Sequence, residues 1–465
     1  MSASKKKRWL SFSLRWGIAI AGVTYVLWNM RFHDRVRVIE NGELTEVRVW
    51  PQPSGQDPDD SNDTFWINGG PQAVKRDVLW TLPDRKNITG PDLAQPTQNK
   101  TYKLLAVRPA QRTMPSPAAE LLVQDPDTGQ RTKVDPAIFP PRERPSVTYP
   151  LVERGINRMA READWWYLAA AILVVPLSYL MTSYRWHVLL EAQEIHIGMA
   201  RTFVMNMVGA FYNSFMPGST GGDVAKAYYA SKHTPHRTRA VLTVIVDRVI
   251  GLLALLILGG VMAAFQFDIP ECRKVALGAA FVLSGTLFGM VVFYNPILRR
   301  ITGLNWILKK LPMQGQVAHI VHAMEVYGRR PGAMLWALLC SFPVHLTTIF
   351  SATLAGQAFH LKLDLLYYWV IIPVIALVGA IPISPQGAGV MEFFAVQLTI
   401  HRGVTVAQAV ALVMSIRLTA IFWNLLAGLF VLRGGYHAPT EAEQHEMDVD
   451  EPEPAQSSPN LAPAP

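Results

Sequence analysis

The sequence predicts an all-α polytopic membrane protein in which two re-entrant, broken-helix hairpins form a degenerate inverted repeat, plus a small β-rich extracytoplasmic insertion. Three observations carry this. Only 17% of the 465 residues are charged while 50% are hydrophobic, against about 25% charged in an average soluble domain. Several apolar stretches run to about twenty residues, the length that a hydrocarbon core about 30 Å thick demands of a spanning helix. Two further apolar stretches are interrupted by Pro, Gly and Asn and run into a single acid. A wholly soluble or disordered chain is excluded. A mean hydropathy of +0.18 is nevertheless low for a pure membrane bundle, so regions of different character are averaged in it.

The elements follow in order. Ser4-Lys5-Lys6-Lys7-Arg8 precedes an apolar run from about Leu10 to Met30. The run is too long for a signal peptide and lacks a small-x-small cleavage site, so residues 1–30 read as a cytoplasmic start and an uncleaved signal anchor. Residues 31–160 are polar, rich in Pro, Gly and Asp, and contain no membrane-length run. Residues 35–39 and 45–50 alternate around Asn41-Gly42, a hairpin signal. Residues 121–123 and 131–134 flank Asp127-Thr128-Gly129 as a second hairpin, with loose stretches near 51–62 and 136–150. The sequon matches at Asn62 and Asn87 are short enough to arise by chance.

Residues 161–433 are the membrane body. Trp165-Trp166-Tyr167 anchor a span that ends near Thr182, with Tyr184-Arg185-Trp186 at the opposite interface. Further spans read at about 240–264, 275–294, 332–354 and 408–432, with broken segments at 200–222 and 366–399 and an amphipathic, basic connector at 297–331. The tail, 434–465, has seven acids, no Lys or Arg and many Pro, the composition of a disordered segment. With the N-terminus inside, most Lys and Arg of the short loops, including Arg185, Arg201, Lys226, Lys232, Arg299, Arg300, Lys309, Lys310, Arg329 and Arg330, fall on the cytoplasmic face. The outer loops hold Arg273, Lys274 and Arg402. This satisfies the positive-inside rule if both broken segments enter and leave on one face. The net charge of +8 is thus topological and does not point to nucleic acid.

The broken segments carry the chemistry. Phe215-Met216-Pro217-Gly218-Ser219-Thr220-Gly221-Gly222-Asp223 and Pro385-Gln386-Gly387-Ala388-Gly389-Val390-Met391-Glu392 each place a proline and small residues ahead of one acid. Each acid is followed 25 residues later by an arginine in an apolar helix, Asp223 by Arg248 and Glu392 by Arg417. The same offset of 169 aligns Gly218 with Gly387, Ala240 with Ala409 and Gly259 with Gly428. With three spans between the copies the repeat is inverted, the plan by which many transporters build a midplane site. Pro and Gly free backbone groups that protein or a water-lined cavity must satisfy, and a re-entrant helix end offers N–H groups to a phosphate. An arginine at a helix centre costs about 2.5–3.5 kcal/mol or more, so Arg248 and Arg417 need interior partners: Asp223, Asp247, Glu392 or a substrate phosphate. Asn206, Gly209 and Asn213 share a helical face and would line the same cavity, together with Gly221 and Gly222. The alternative, compatible with this, is that the acids and arginines are ion pairs that lock the bundle.

Other motifs are weaker. The Gly-Ser-Thr-Gly-Gly run lacks the Gly-Lys-Ser/Thr ending of a P-loop. His319, His322 and Glu325 form a stripe on an amphipathic connector, and His233 and His236 sit among cations that meet anionic headgroups. Two cysteines, Cys272 and Cys340, make no disulfide framework, and no spacing suggests zinc. No metal or cofactor is expected.

At these residues the chain resembles the flippase-like transmembrane region of lysylphosphatidylglycerol synthases and its stand-alone relatives. The resemblance spans about 166–432 and rests on Tyr184-Arg185-Trp186-His187-Val188-Leu189-Leu190, the run ending at Asp223, Asp247-Arg248-Val249-Ile250-Gly251, the run ending at Glu392, and Arg417. Lys226 and Asp247 stand where the family pattern leads one to expect Arg and Glu, and residues 31–160 separate two helices usually close in sequence. In the full-length synthases this region is thought to move aminoacylated phosphatidylglycerol between leaflets, while a separate soluble domain attaches the amino acid. That domain needs roughly 300 residues, about two domain lengths. Only the acidic tail follows Arg433, so synthase activity is not expected.

The resemblance implies a non-enzymatic, multi-pass protein of a bacterial inner membrane, N-terminus cytoplasmic, that moves a phospholipid between leaflets. Arg248 and Arg417 would bind phosphate; Asp223 and Glu392 would hold them or meet a cationic headgroup. One alternative is a membrane scaffold in envelope assembly whose residues 31–160 bind an envelope protein. Another is an enzyme acting on a polyprenyl-phosphate lipid, which would want paired carboxylates or a metal site.

Overall fold

The computed structural model describes residues 24, 32–440 and 443, except 41–42, 51–63, 68–71, 76–77, 85, 96, 111–115, 148, 216–220, 305–320, 322–323 and 381–386. The signal anchor, most of the connector, Gly218 and most of the acidic tail lie outside the described residues.

The amino-terminal region folds as two antiparallel sheets. In the first, β1 (Arg35–Glu40), β2 (Glu43–Trp50), β3 (Thr64–Ile67) and β4 (Gln72–Lys75) lie side by side, and the later strand Val152–Glu153 pairs with β1. Glu40 pairs with Glu43, so β1 and β2 form the hairpin the sequence predicts, with Asn41 and Gly42 themselves outside the described residues. The second sheet orders β5 (Asn87–Pro91), β6 (Asn99–Pro109), β7 (Ser116–Gln124) and β8 (Arg131–Val134). The β7–β8 hairpin confirms the second turn, with Gln124 opposite Arg131. Trp80 bridges to Arg37 and Thr81 to Val107, so one short segment couples the two sheets. Alternate residues build a buried face in each sheet, Val36, Val38, Val47 and Val49 in the first and Tyr102, Leu104, Leu121 and Val123 in the second, while Ala106 and Leu122 are buried with Trp80 in a separate cluster. The stretch 136–150 is not loose. Phe139, Val147 and Tyr149 are buried, because apolar side chains spaced through an irregular segment can still anchor it.

Twelve helical segments are named here: α1 (Ile156–Glu162), α2 (Trp165–Val174), α3 (Pro176–Ala192), α4 (Met199–Phe215), α5 (Gly221–Ser231), α6 (Arg237–Ala264), α7 (Pro270–Tyr294), α8 (Pro296–Ile301), α9 (Pro331–Ala358), α10 (Leu365–Ala380), α11 (Val390–Thr399) and α12 (Val406–Leu432). Among the described residues, five stretches are long and apolar enough to cross a membrane: Trp165–Ala192, Arg237–Ala264, Pro270–Tyr294, Pro331–Ala358 and Val406–Leu432. They fall where the sequence places them, with one difference. The first continues past Thr182 to Ala192, broken between α2 and α3 at Pro176, where the ring removes a helical donor. Within the Tyr184-Arg185-Trp186 triplet, Arg185 and Trp186 are buried in the bundle and Tyr184 is exposed. Asp34 ties the β region to the helices, accepting from Gly155 N at 2.7 Å and Arg158 Nη1 at 3.0 Å.

In helix order, α4 is followed by short α5 and long α6, and α10 by short α11 and long α12, with residues 216–220 and 381–386 outside the described ones. Each first arm packs on the long helix of the other set, α4 on α12 and α10 on α6. The glycines aligned by the 169-residue offset sit at these two crossings. A Cβ on Gly259 would meet Pro373 of α10 at 2.9 Å, and one on Gly428 would meet the Phe211 ring of α4 at 2.6 Å.

Candidate functional site

The α4–α5 hairpin is the first wall of the site. Its arms approach so closely that a Cβ on Gly222 would collide with the Gly209 carbonyl oxygen and the Asn213 side chain. In return, a Cβ on Gly209 would meet the Lys226 stem at 2.7 Å. Only a hydrogen fits at either position. Asn213 Oδ1 accepts from Gly222 N at 2.9 Å, satisfying one of the backbone donors left free at the start of α5. Asn206 Nδ2 donates to Ser183 Oγ at 2.9 Å and joins α4 to α3.

Asp247 and Arg248 are neighbours on α6 and cannot face each other, since consecutive residues are about 100° apart around a helix. Each finds a separate partner. Asp247 accepts from Arg185 Nε at 2.7 Å and faces Lys226 Nζ at 3.5 Å. Arg185 Nη1 also donates to Ser341 Oγ of α9 at 2.9 Å. Its guanidinium lies against Gly251, where a Cβ would be 3.0 Å from Nη1. Lys226 sits 4.4 Å from the centre of the Trp186 ring, a cation–π contact. Arg248 pairs with Asp223.

These groups surround one cavity of about 500 Å³. Arg185, Asp223, Lys226, Asp247 and Arg248 supply its charges, and Tyr179, Asn206, Asn213, Thr348 and Asn424 its neutral polar wall. Tyr179 donates to Asn424 Oδ1 at 2.7 Å, and the His345 Nε2–H donates to the Gly251 carbonyl at 2.9 Å. Apolar side chains of α6, α9 and α12 complete the lining. The Arg248 side chain is 38% exposed and Asp223 19%, whereas Asp247 is 4%. The reachable charges are therefore Arg248 and its partner.

The second acid–arginine pair, Glu392 with Arg417, also forms but lies outside this lining. Arg417 Nη1 donates to Glu392 Oε1 at 2.6 Å, and Gly389 N donates to Glu392 Oε2 at 2.8 Å, so the carboxylate both pairs and caps α11. Gly387 and Gly389 adopt φ of +69° and +83°, a left-handed backbone that favours glycine. Arg417 Nε and Nη2 are buried with no hydrogen-bond partner among the described residues.

Of the sequence-predicted site residues, Asp223, Asp247, Arg248, Asn206 and Asn213 thus meet at the cavity, and Gly222 with Gly209 sets its hairpin wall. Gly221 opens α5. Glu392 meets Arg417 and Gly389 instead, and a Cβ on Gly387 would meet Gly379 and Met391. Sequence reasoning missed Arg185 and Lys226, both assigned to cytoplasmic segments and both buried, as well as Tyr179, His345 and Asn424. A signal for the first two was present: an acid and a base adjacent in an apolar helix need two different partners. Among the described residues no His, Cys, Asp and Glu cluster is placed to hold a metal.

The family model for the lysylphosphatidylglycerol synthase transmembrane region matches residues 154–428, beginning where the β region ends. A UPF0104 membrane protein of Methanothermobacter thermautotrophicus is 25% identical over 296 residues, 58% of this chain and 86% of the relative. Another, of Pyrococcus horikoshii, is 24% identical over 308 residues, 61% of this chain and 91% of the relative.

Proposed function

The chain belongs to the family of the lysylphosphatidylglycerol synthase transmembrane region, and from that premise we propose that it is a flippase-like lipid transporter, not an enzyme. It moves a phospholipid between the leaflets of a cell membrane, and aminoacylated phosphatidylglycerol is one candidate cargo. The headgroup enters the cavity while the acyl chains stay in lipid. Arg248 meets the phosphate, because a guanidinium keeps its charge and offers two parallel donors. Asp223 holds Arg248 when no headgroup is present.

In this reading residues 31–160 lie outside the cytoplasm, the N-terminus inside, and α4–α5 and α10–α11 are re-entrant hairpins of an inverted repeat. The reciprocal packing of α4 on α12 and α10 on α6 supports that symmetry. The observation that carries the proposal is the cavity itself: a polar, charged space of about 500 Å³ among helices long and apolar enough to span. Such a space is costly in a bundle unless something polar occupies it.

Reconstitution tests it. Full-length protein in proteoliposomes should speed the leaflet exchange of a labelled phospholipid, and Arg248→Ala should lose that activity while keeping its elution profile and melting temperature. Unchanged exchange in the variant would remove Arg248 from the pathway.

A further inference from the structure

We propose that the chain just after α12 is an autoinhibitory strap: it grips the far end of α5 and ties the α4–α5 hairpin to α12, restraining two walls of the cavity. The inhibition rests on the transport reading; the restraint does not.

The strap begins with a turn. Gly434 and Gly435 adopt φ of +88° and +86° directly after α12, a backbone that only glycine takes without strain. The turn lays residues 436–440 and Glu443 on the end of α5. Tyr436 packs on the cluster that holds Tyr228, Tyr229 and Ala230 of α5, alongside Phe430 and Val431 of α12. Its ring centre is 4.9 Å from that of Tyr229. Tyr229 Oη donates to the His437 carbonyl at 2.8 Å and accepts from the His437 backbone N–H. Tyr228 Oη donates to Glu443 Oε1, and Lys232 Nζ sits 4.1 Å from the centre of the same Tyr228 ring. Glu443 is fixed in turn. His437 Nε2 lies 3.0 Å from Oε1, and Thr440 N and Oγ1 donate to Oε2 at 2.8 and 3.0 Å. These donors, the Tyr228 hydroxyl first among them, hold the Glu443 carboxyl down to about 2, so it is ionised at neutral pH. Both tyrosines are buried.

The two ends of α5 do different work. Asp223 and Lys226 line the cavity. At about 1.5 Å per residue, Tyr228 and Tyr229 lie about 3 and 4.5 Å further along the axis than Lys226. Neighbouring side chains point about 100° apart around a helix, so gripping both tyrosines resists rotation as well as tilt. The helix α12 brings Thr419, Ala420 and Asn424 to the same cavity. Alternating access rocks one set of helices against another, and a tie from α12 to α5 opposes it. The tie is built to let go. Its contacts are polar and reach the surface, with the His437 and Glu443 side chains 56% and 24% exposed. Such contacts sit at the low-stability end of a fold and open locally.

The experiment uses the full chain and the variants Tyr229→Phe, Glu443→Ala, their double, and Gly435→Ala. Tyr229→Phe keeps the ring and removes both of its strap hydrogen bonds. A Cβ at Gly435 meets nothing within 4 Å, so Gly435→Ala strains the turn and removes no contact. Losing the net worth of one hydrogen bond shifts an opening equilibrium about fivefold. Amide hydrogen exchange over 221–231 should quicken by about that factor in each single variant and further in the double. Labelled phospholipid should cross proteoliposomes faster in the same order. Unchanged protection of α5 in the double variant would overturn the strap; if the double melts early, Gly435→Ala decides the same question. Quickened hydrogen exchange with lipid movement unchanged or slowed would make the segment a structural brace and overturn autoinhibition. If neither the unmodified protein nor any variant moves lipid, transport fails and the inhibitory role with it, while the protection of α5 still reads whether the strap holds.

Discussion

Arg185 Nε donates to Asp247 Oδ1 at 2.7 Å, across 62 residues of chain, with both side chains almost fully buried. This contact fastens α3 to α6 at the cavity wall, and Ser341 extends it to α9. Removing one partner of a buried ion pair strands the other, at about 3–5 kcal/mol. Arg185→Ala should therefore lower the melting temperature in detergent sharply. The double variant Arg185→Met, Asp247→Leu should recover part of the loss, and not all, because Lys226 then lacks its carboxylate. A single variant as stable as the double would mean the pair contributes nothing.

Gly222→Ala tests the hairpin wall. The added methyl meets the Gly209 carbonyl oxygen and Asn213, neither of which is the free end of a flexible chain. The arms must separate, and overpacking of this kind costs about 1–3 kcal/mol. Lipid exchange should fall more than stability, since Asp223 and Lys226 ride on the displaced helix. Gly278→Ala, at a position where a Cβ meets nothing within 4 Å, is the control and should melt as the unmodified protein does.

The span positions and the acid–arginine pairs were readable because they follow from single-chain constraints: length against bilayer thickness, and the cost of a lone charge in an apolar helix. Arg248 with Asp223 and Arg417 with Glu392 met the partners that the repeat offers. Arg185 and Lys226 were not readable in the same way. A cation after an apolar run looks the same whether the helix stops there or continues, and only the extension of α3 to Ala192 decides it. The separation of Glu392 and Arg417 from the cavity depends on which helices cross, a property of packing that no local pattern encodes. In the β region the Asn41-Gly42 hairpin was legible from turn chemistry. The burial of Phe139, Val147 and Tyr149 was not, because an irregular segment has no period to betray its inner face.

Acid should loosen the β7–β8 hairpin at its turn. The Lys100 ammonium, 2.8 Å from Asp125 Oδ2, and the Asp127 and Thr128 backbone N–H groups hold the Asp125 carboxyl below its usual range. A carboxylate with a depressed folded value stabilises the fold above its unfolded value of about 3.9 and loses that contribution as pH falls through the folded value. Hydrogen-exchange protection at residues 121–134, corrected for intrinsic rate, should hold from neutral pH to about 5 and decline below about 4. Lys100→Met should start the decline at higher pH. A hairpin whose protection is lost near neutral pH would point to a histidine-driven transition instead.

Arg248 and Arg417 should answer differently to the same change. Arg248 and Asp223 face the cavity at 38% and 19% exposure, so Arg248→Ala leaves a carboxylate that water can reach. The protein should fold and lose at least about nine-tenths of its lipid exchange, a change of about 1.4 kcal/mol or more in the barrier. Glu392 is 0% exposed and Arg417 11%, so Arg417→Ala strands a buried carboxylate and should cost about 3–5 kcal/mol of stability. Adding Glu392→Gln removes the stranded charge while its side-chain oxygen still accepts from Gly389 N, and should restore most of the melting temperature. The restored double variant then isolates what Arg417 does beyond holding the bundle. Its Nε and Nη2 hydrogens are buried without partners among the described residues, and under the proposed function they are available to a phosphate. Exchange by the double variant should therefore stay low although the fold is recovered. Exchange at the unmodified rate would make this pair a structural clamp and leave Arg248 as the arginine that handles lipid.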